Sequence, residues 1–103
     1  MSRDAAPLRI ERVDAANVRV GGAVDFSDAV DAVARTDEII GASKDVTVDL
    51  GGLSRADSAT LGIVLLWAAR AATRGVRLRF ARVPDGLRAL ARLCDAESLL
   101  GFA

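Results

Sequence analysis

One segment constrains this chain more than any other: Val46 to Arg70, VTVDLGGLSRADSATLGIVLLWAAR, where a β-branched run passes through a short loop into a long apolar helix. Val46 to Leu50 reads as a strand, because β-branched residues suit a pleated, half-buried surface, and Gly51-Gly52 then punctuates the chain. Asp57 and Ser58 are both good helix N-caps, with a side-chain oxygen that can accept from an orphan backbone N–H. A serine held at a helix N-terminus just after a strand occupies a surface position suited to hydroxyl chemistry or anion recognition. Function is expected at this junction.

The remaining pattern supplies the partners of that unit. Leu8–Val13 and Val18–Val24 read as strands separated by the turn-prone Asp14–Asn17, and so as a hairpin. Phe26–Ile40 approximates helical spacing, capped by Asp25 or Ser27, with Asp28 and Asp31 early and Gly41 at its end. Gly75 is placed to close the helix from Ser58 to Arg74, and Val76–Phe80 alternates as another strand. Pro84 suits a first helical turn, after which Leu87, Leu90, Ala91 and Cys94 share a face opposite Arg88 and Arg92. Cys94 is expected to be a small buried hydrophobe. The tail from Glu97 to Phe102 has the apolar content of a short docking helix or a last strand. The order predicts a single α/β domain over residues 1–103, a mixed β-sheet of four to five strands with helices packed against it.

Composition removes several kinds of function. Basic and acidic residues balance at 14 each, which leaves no net field to gather nucleic acid or an anionic membrane. There is no histidine, which takes away the usual general base, metal ligand and pH switch together, and a Ser-His-Asp hydrolase is excluded. The single cysteine permits no intramolecular disulfide, and no metal site is expected. Candidate carboxylates stand at Asp49 and Asp57, yet no nucleophile has a base beside it, and Gly51-Gly52 lacks the lysine of a phosphate-cradling loop, so no catalytic residue and no cofactor are expected. MSRDAAPLRI has no signal-peptide core, and the apolar run Leu61–Ala69 is too short to span a bilayer, so the expectation is a cytoplasmic protein without direct membrane insertion.

The helix beginning near Ser58 has too much apolar surface for a single buried stripe. Leu61, Val64, Leu65, Ala68, Ala71 and Ala72 recur at helical spacing and are expected to face the core. Ala59, Ile63, Leu66, Trp67 and Arg70 then fall outside it, where a solvated helix would carry Glu, Lys or Gln. A second apolar stripe ending in tryptophan and arginine has the make-up of an interface centre. The competing expectation is that another element of the same chain, such as the tail with Leu99, Leu100 and Phe102, covers it.

The stretch DLGGLSRADSATLGIVLLWAARAATRG resembles the signature segment of STAS domains, the fold shared by anti-sigma-factor antagonists and sulfate-transporter tails. GGAVDF is similar to the turn that leads into that family's first helix, and LLWAAR with VPDGLRALARLCDAESLLGF is most similar to the MlaB type. The resemblance implies a non-catalytic accessory subunit of a phospholipid-transport ABC system. Such a subunit binds the MlaF-like cytoplasmic ATPase, and the permease through it, supports their assembly and activity, and lies peripheral to the inner membrane. It also implies that Ser58 occupies the position of the phosphorylated serine of anti-sigma-factor antagonists, with Asp57 as the acidic residue before it. Thr60 stands where glycine is usual, and a β-branched residue there is expected to narrow the approach of a partner backbone. The expected partner surface is therefore Asp57, Ser58, Thr60, Ile63, Leu66, Trp67 and Arg70. The alternative partner is an anti-sigma factor or serine kinase, with Ser58 phosphorylated.

Overall fold

The computed structural model describes residues 8–23, 29–41, 43–54 and 57–100. Strands β1 (Arg9–Asp14), β2 (Asn17–Gly22), β3 (Asp45–Leu53) and β4 (Arg77–Ala81) form one sheet in the order β1-β2-β3-β4. β1 and β2 are the expected hairpin, antiparallel, whereas β2–β3 and β3–β4 are parallel. At the hairpin turn the Ala16 amide and the Asn17 side chain donate to Asp14, at 2.8 and 2.9 Å, and hold its carboxyl below the ordinary carboxylate range.

Alternation along the strands divides the sheet into two unlike faces. Val18 and Val20 of β2, Val46, Val48 and Leu50 of β3, and Phe80 of β4 are buried on one face. Arg19, Asp45, Arg77 and Arg79 lie exposed on the other. Helices α1 (Ala29–Ala34), α2 (Thr36–Ile40), α3 (Ser58–Thr73), α4 (Asp85–Leu93) and α5 (Glu97–Leu100) complete the elements of the described residues. α3 lies at their centre and packs against α1, α2, α4, α5 and β4.

The single helix expected to end at Ile40 is two short ones meeting at Arg35, whose φ and ψ of −91° and 13° leave the helical range. The Ala32 carbonyl, one turn before the break, accepts from the Arg35 amide at 3.2 Å and from the Trp67 indole at 3.1 Å. A side chain inserted into the hydrogen-bond ladder is a recognised cause of a helix break. The expected helix start at Phe26, its Asp25 or Ser27 cap, Asp28, Val24 and Phe102 lie outside the described residues. Arg12 ties the hairpin to the end of α2: its guanidinium donates to the carbonyls of Asp14 and Ala15 and to those of Glu38 and Ile39.

Gly75 closes α3 as expected. At φ 70° its amide donates to Ala72 O and that of Val76 to Ala71 O, the paired bonds of a Schellman cap. Pro84 stands one residue earlier than a first-turn proline, as the extended residue before α4, and its carbonyl accepts from Leu87 and Arg88. α5 is the short docking helix, with Leu100 buried. Cys94 is exposed, against expectation, because α4 ends there and the chain turns at Asp95. Arg88 and Arg92 each approach Glu97, at 4.0 and 3.3 Å, on a half-solvated face.

Candidate functional site

The junction between β3 and α3 is built by one carboxylate. Asp57 takes an extended backbone conformation, and its Oδ1 accepts from the Thr60 amide at 3.0 Å and from the Thr60 hydroxyl at 2.8 Å. The Asp57 carbonyl accepts from the Leu61 amide at 3.0 Å. Asp57 is thus the N-cap, and Ser58 is the first residue of the helix with its side chain exposed. Of the two capping candidates in the sequence, the aspartate does the capping and the serine is left free to face outward.

Thr60 is 1% exposed, so its hydroxyl is a buried brace for the cap and does not narrow the approach of anything from outside. Ile63 and Trp67 are likewise buried, at 5% and 1% exposure, and the Trp67 indole N–H is satisfied by Ala32 O of α1. Thr60, Ile63 and Trp67 therefore cannot form the outer surface expected of them. The competing expectation holds for this stripe, but the covering elements include α1 and α2, not the tail alone. Burial on α3 spans well over one stripe because the helix rests on the sheet while other helices close over its flanks. The expected core residues Leu61, Val64 and Ala71 are buried, Leu65 and Ala68 sit at the boundary, and Ala72 is exposed.

What remains outward is a narrower strip. Ser58, Gly62, Ala69, Arg70 and Thr73 are exposed, Leu65 is half-buried among them and Leu66 is half-buried at the side. At 3.6 residues per turn Ser58, Gly62, Leu65, Ala69 and Thr73 fall in one row along the helix. A Cβ built on Gly62 meets nothing within 4 Å, so the space over this turn is open to solvent. The strip keeps Asp57, Ser58, Leu66 and Arg70 of the expected set and adds Gly62, Leu65 and Ala69. The sequence did carry a signal for Gly62: a glycine inside a long helix costs about 1 kcal/mol relative to alanine, and nothing in the packing here requires it.

Chemically the strip can bury small and apolar surface against a partner backbone and offer one hydroxyl at a helix N-terminus. Among the described residues no group of three His, Cys, Asp or Glu side chains could hold a metal ion. Also among them, no helix is long and apolar enough to cross a membrane.

A half-covered mixed sheet with a strand leading into a central capped helix is the architecture of a STAS domain. The anti-sigma factor antagonist SpoIIAA, solved in its unphosphorylated form, superposes with a TM-score of 0.68 at 19% identity over 94% of this chain and 88% of that one. The family model described as Mlab, STAS domain matches residues 9–101, and the chain belongs to that family. A comparison with curated proteins finds no match.

Proposed function

We propose that this protein is a non-catalytic docking module, the accessory subunit of an Mla-type phospholipid ABC transporter, and that it grips the transporter's cytoplasmic ATPase through the outward strip of α3. On this reading it lies in the cytoplasm, reaches the membrane through the ATPase and its permease, and supports their assembly and activity. The observation that carries it is the composition of the strip. Where a solvated helix would present Glu, Lys or Gln, α3 presents Ser58, Gly62, Leu65, Leu66 and Ala69, with Arg70 at the rim. The name of the matching family supports the choice of an Mla-type partner. Ser58 lies within the contact, and Thr60, Ile63 and Trp67 contribute by holding the helix in place from inside.

The test is co-purification with the ATPase. Ser58→Ala is expected to keep most of the ATPase, whereas Ser58→Asp places an unpaired charge in the contact and is expected to lose it. Normal retention by Ser58→Asp would remove this site from the proposal.

A second reading is supported by the exposure of Ser58 at the first position of α3, where the helix dipole favours a phosphate. In it, Ser58 is phosphorylated by a partner serine kinase and the charge releases an anti-sigma factor. Intact mass of the protein isolated from its own cells decides between them: a phosphorylated fraction favours the switch, and its absence across growth conditions excludes it.

A further inference from the structure

The face of the sheet that carries none of the described helices holds a second feature, on the side away from α3. Arg9, Arg19 and Arg82, with Glu11 and Asp49, surround a depression of about 410 Å³ whose floor is made by glycines of β2 and β3. Those glycines are what let the arginines lie down on the sheet. A Cβ on Gly21 would stand 2.9 Å from Arg9 Nη2, and one on Gly51 would stand 2.6 Å from Arg82 Nε. The register of β2 against β3 shifts between Arg19 and Gly21, and such irregularities re-aim side chains next to sites. Arg82 follows the end of β4 in the left-handed region, at φ 53°, uncommon for a residue with a side chain.

The charges at this depression are incompletely neutralised. Arg19 approaches Glu11 at 3.6 Å and Arg82 approaches Asp49 at 3.5 Å, both beyond good hydrogen-bond length. Asp49 Oδ1 is already engaged by the Gly51 amide at 2.8 Å. Among the described residues Arg9 has no carboxylate within ion-pair distance. Three guanidinium groups against two carboxylates leave an excess positive charge in a concave site, and guanidinium forks match the oxygens of a phosphate.

We propose that this arginine-lined depression binds a phosphate-bearing small molecule. The phosphate group sits among Arg9, Arg19 and Arg82, and hydroxyl groups of the same ligand donate to Glu11 and Asp49. The two carboxylates discriminate against a bare polyanion and in favour of a phosphate ester that also carries hydroxyls. The site lies on the opposite side of the sheet from α3, so its occupancy and the docking of the ATPase are separately testable.

The experiment is a titration of the isotope-labelled protein followed by NMR, at constant ionic strength, with inorganic phosphate, with glycerol 3-phosphate and with chloride. The expected result is saturable shifts at the Gly21, Gly51 and Gly52 amides and at the arginine Nε–H groups, tighter for glycerol 3-phosphate than for phosphate and absent for chloride. Arg9→Gln is expected to weaken binding about tenfold. Gly51→Ala, which displaces the Arg82 guanidinium without removing its charge, is expected to weaken it severalfold. Arg77→Gln, outside the depression, and Gly62→Arg, on α3, are expected to leave it unchanged. Co-sedimentation with phosphatidylglycerol vesicles that depends on Arg9 would assign the phosphate to a lipid headgroup, and saturable binding without it would assign a soluble ligand. Shifts that rise linearly, that chloride reproduces, or that persist unchanged in well-folded Arg9→Gln and Gly51→Ala would overturn the proposal.

Discussion

The two sides of α3 are made from the same kinds of residue and do opposite things. Inward, Thr60, Ile63 and Trp67 are buried and each polar atom has a partner: the Thr60 hydroxyl on Asp57, the Trp67 indole on Ala32. Outward, Ser58, Gly62 and Ala69 are exposed, and a side chain at Gly62 would project into open space. Apolar content alone does not separate the sides of this helix. What separates them is whether another element of the chain satisfies the polar atoms and closes over the carbons. The tryptophan, which looks like an interface anchor in one dimension, is a bolt between two helices in three.

If that division is right, substitutions on the two sides should affect different measurements. The largest effect is expected at Trp67. Trp67→Ala empties a core position and removes the indole bond to the Ala32 carbonyl, which keeps only the Arg35 amide, and should lower unfolding free energy by about 3–5 kcal/mol in a denaturant titration. If Trp67→Ala instead unfolded like the wild type, the residue would have to be on the outside.

A smaller effect is expected at the cap. Asp57→Ala removes both bonds to Thr60 and leaves a buried hydroxyl without its acceptor, at about 1–2 kcal/mol by the same titration. Thr60→Val keeps the cap bond to the amide and should cost about 1 kcal/mol. Equal losses for the two would mean that the hydroxyl carries the whole contribution of the cap.

The outward side should respond with the opposite sign. Gly62→Ala fills open space on a helix and should raise stability by about 0.5–1 kcal/mol, because glycine loses more backbone entropy on folding than alanine. Ala69→Glu should fall within about 0.5 kcal/mol of wild type. A loss of more than 1 kcal/mol at either position would show that this strip is packed against the molecule itself.

The fold was legible because the signals were local. Gly75 after an apolar run marked a helix end, Val46–Leu50 marked a central strand, and Asp14–Asn17 marked the hairpin turn; the strand does not stop at Gly51-Gly52 as expected but runs to Leu53, because both glycines stay in the sheet, Gly52 paired with Gly21 of β2. The break at Arg35 was not legible, since the Trp67 indole that sits at it comes from a different helix. The site was half legible: capping chemistry located the junction at Asp57 and Ser58, and hydroxyl exposure followed from the cap. Which side of α3 faced outward could not be read from periodicity, because the helix is apolar on nearly every side. Gly62 was the residue that carried the missing information, as a helix-weakening choice with no packing purpose.

If the outward strip of α3 is the docking face, Gly62→Arg is the substitution that should abolish docking without harming the fold. Tagged wild type and Gly62→Arg would each be captured from detergent-solubilised native cells, the retained chains identified by mass and the thermal midpoint of each purified protein measured. Wild type is expected to retain an ABC ATPase and its permease, while Gly62→Arg loses both with its midpoint unchanged or raised. Retention of the ATPase by a folded Gly62→Arg would contradict this and move the docking face elsewhere on the molecule.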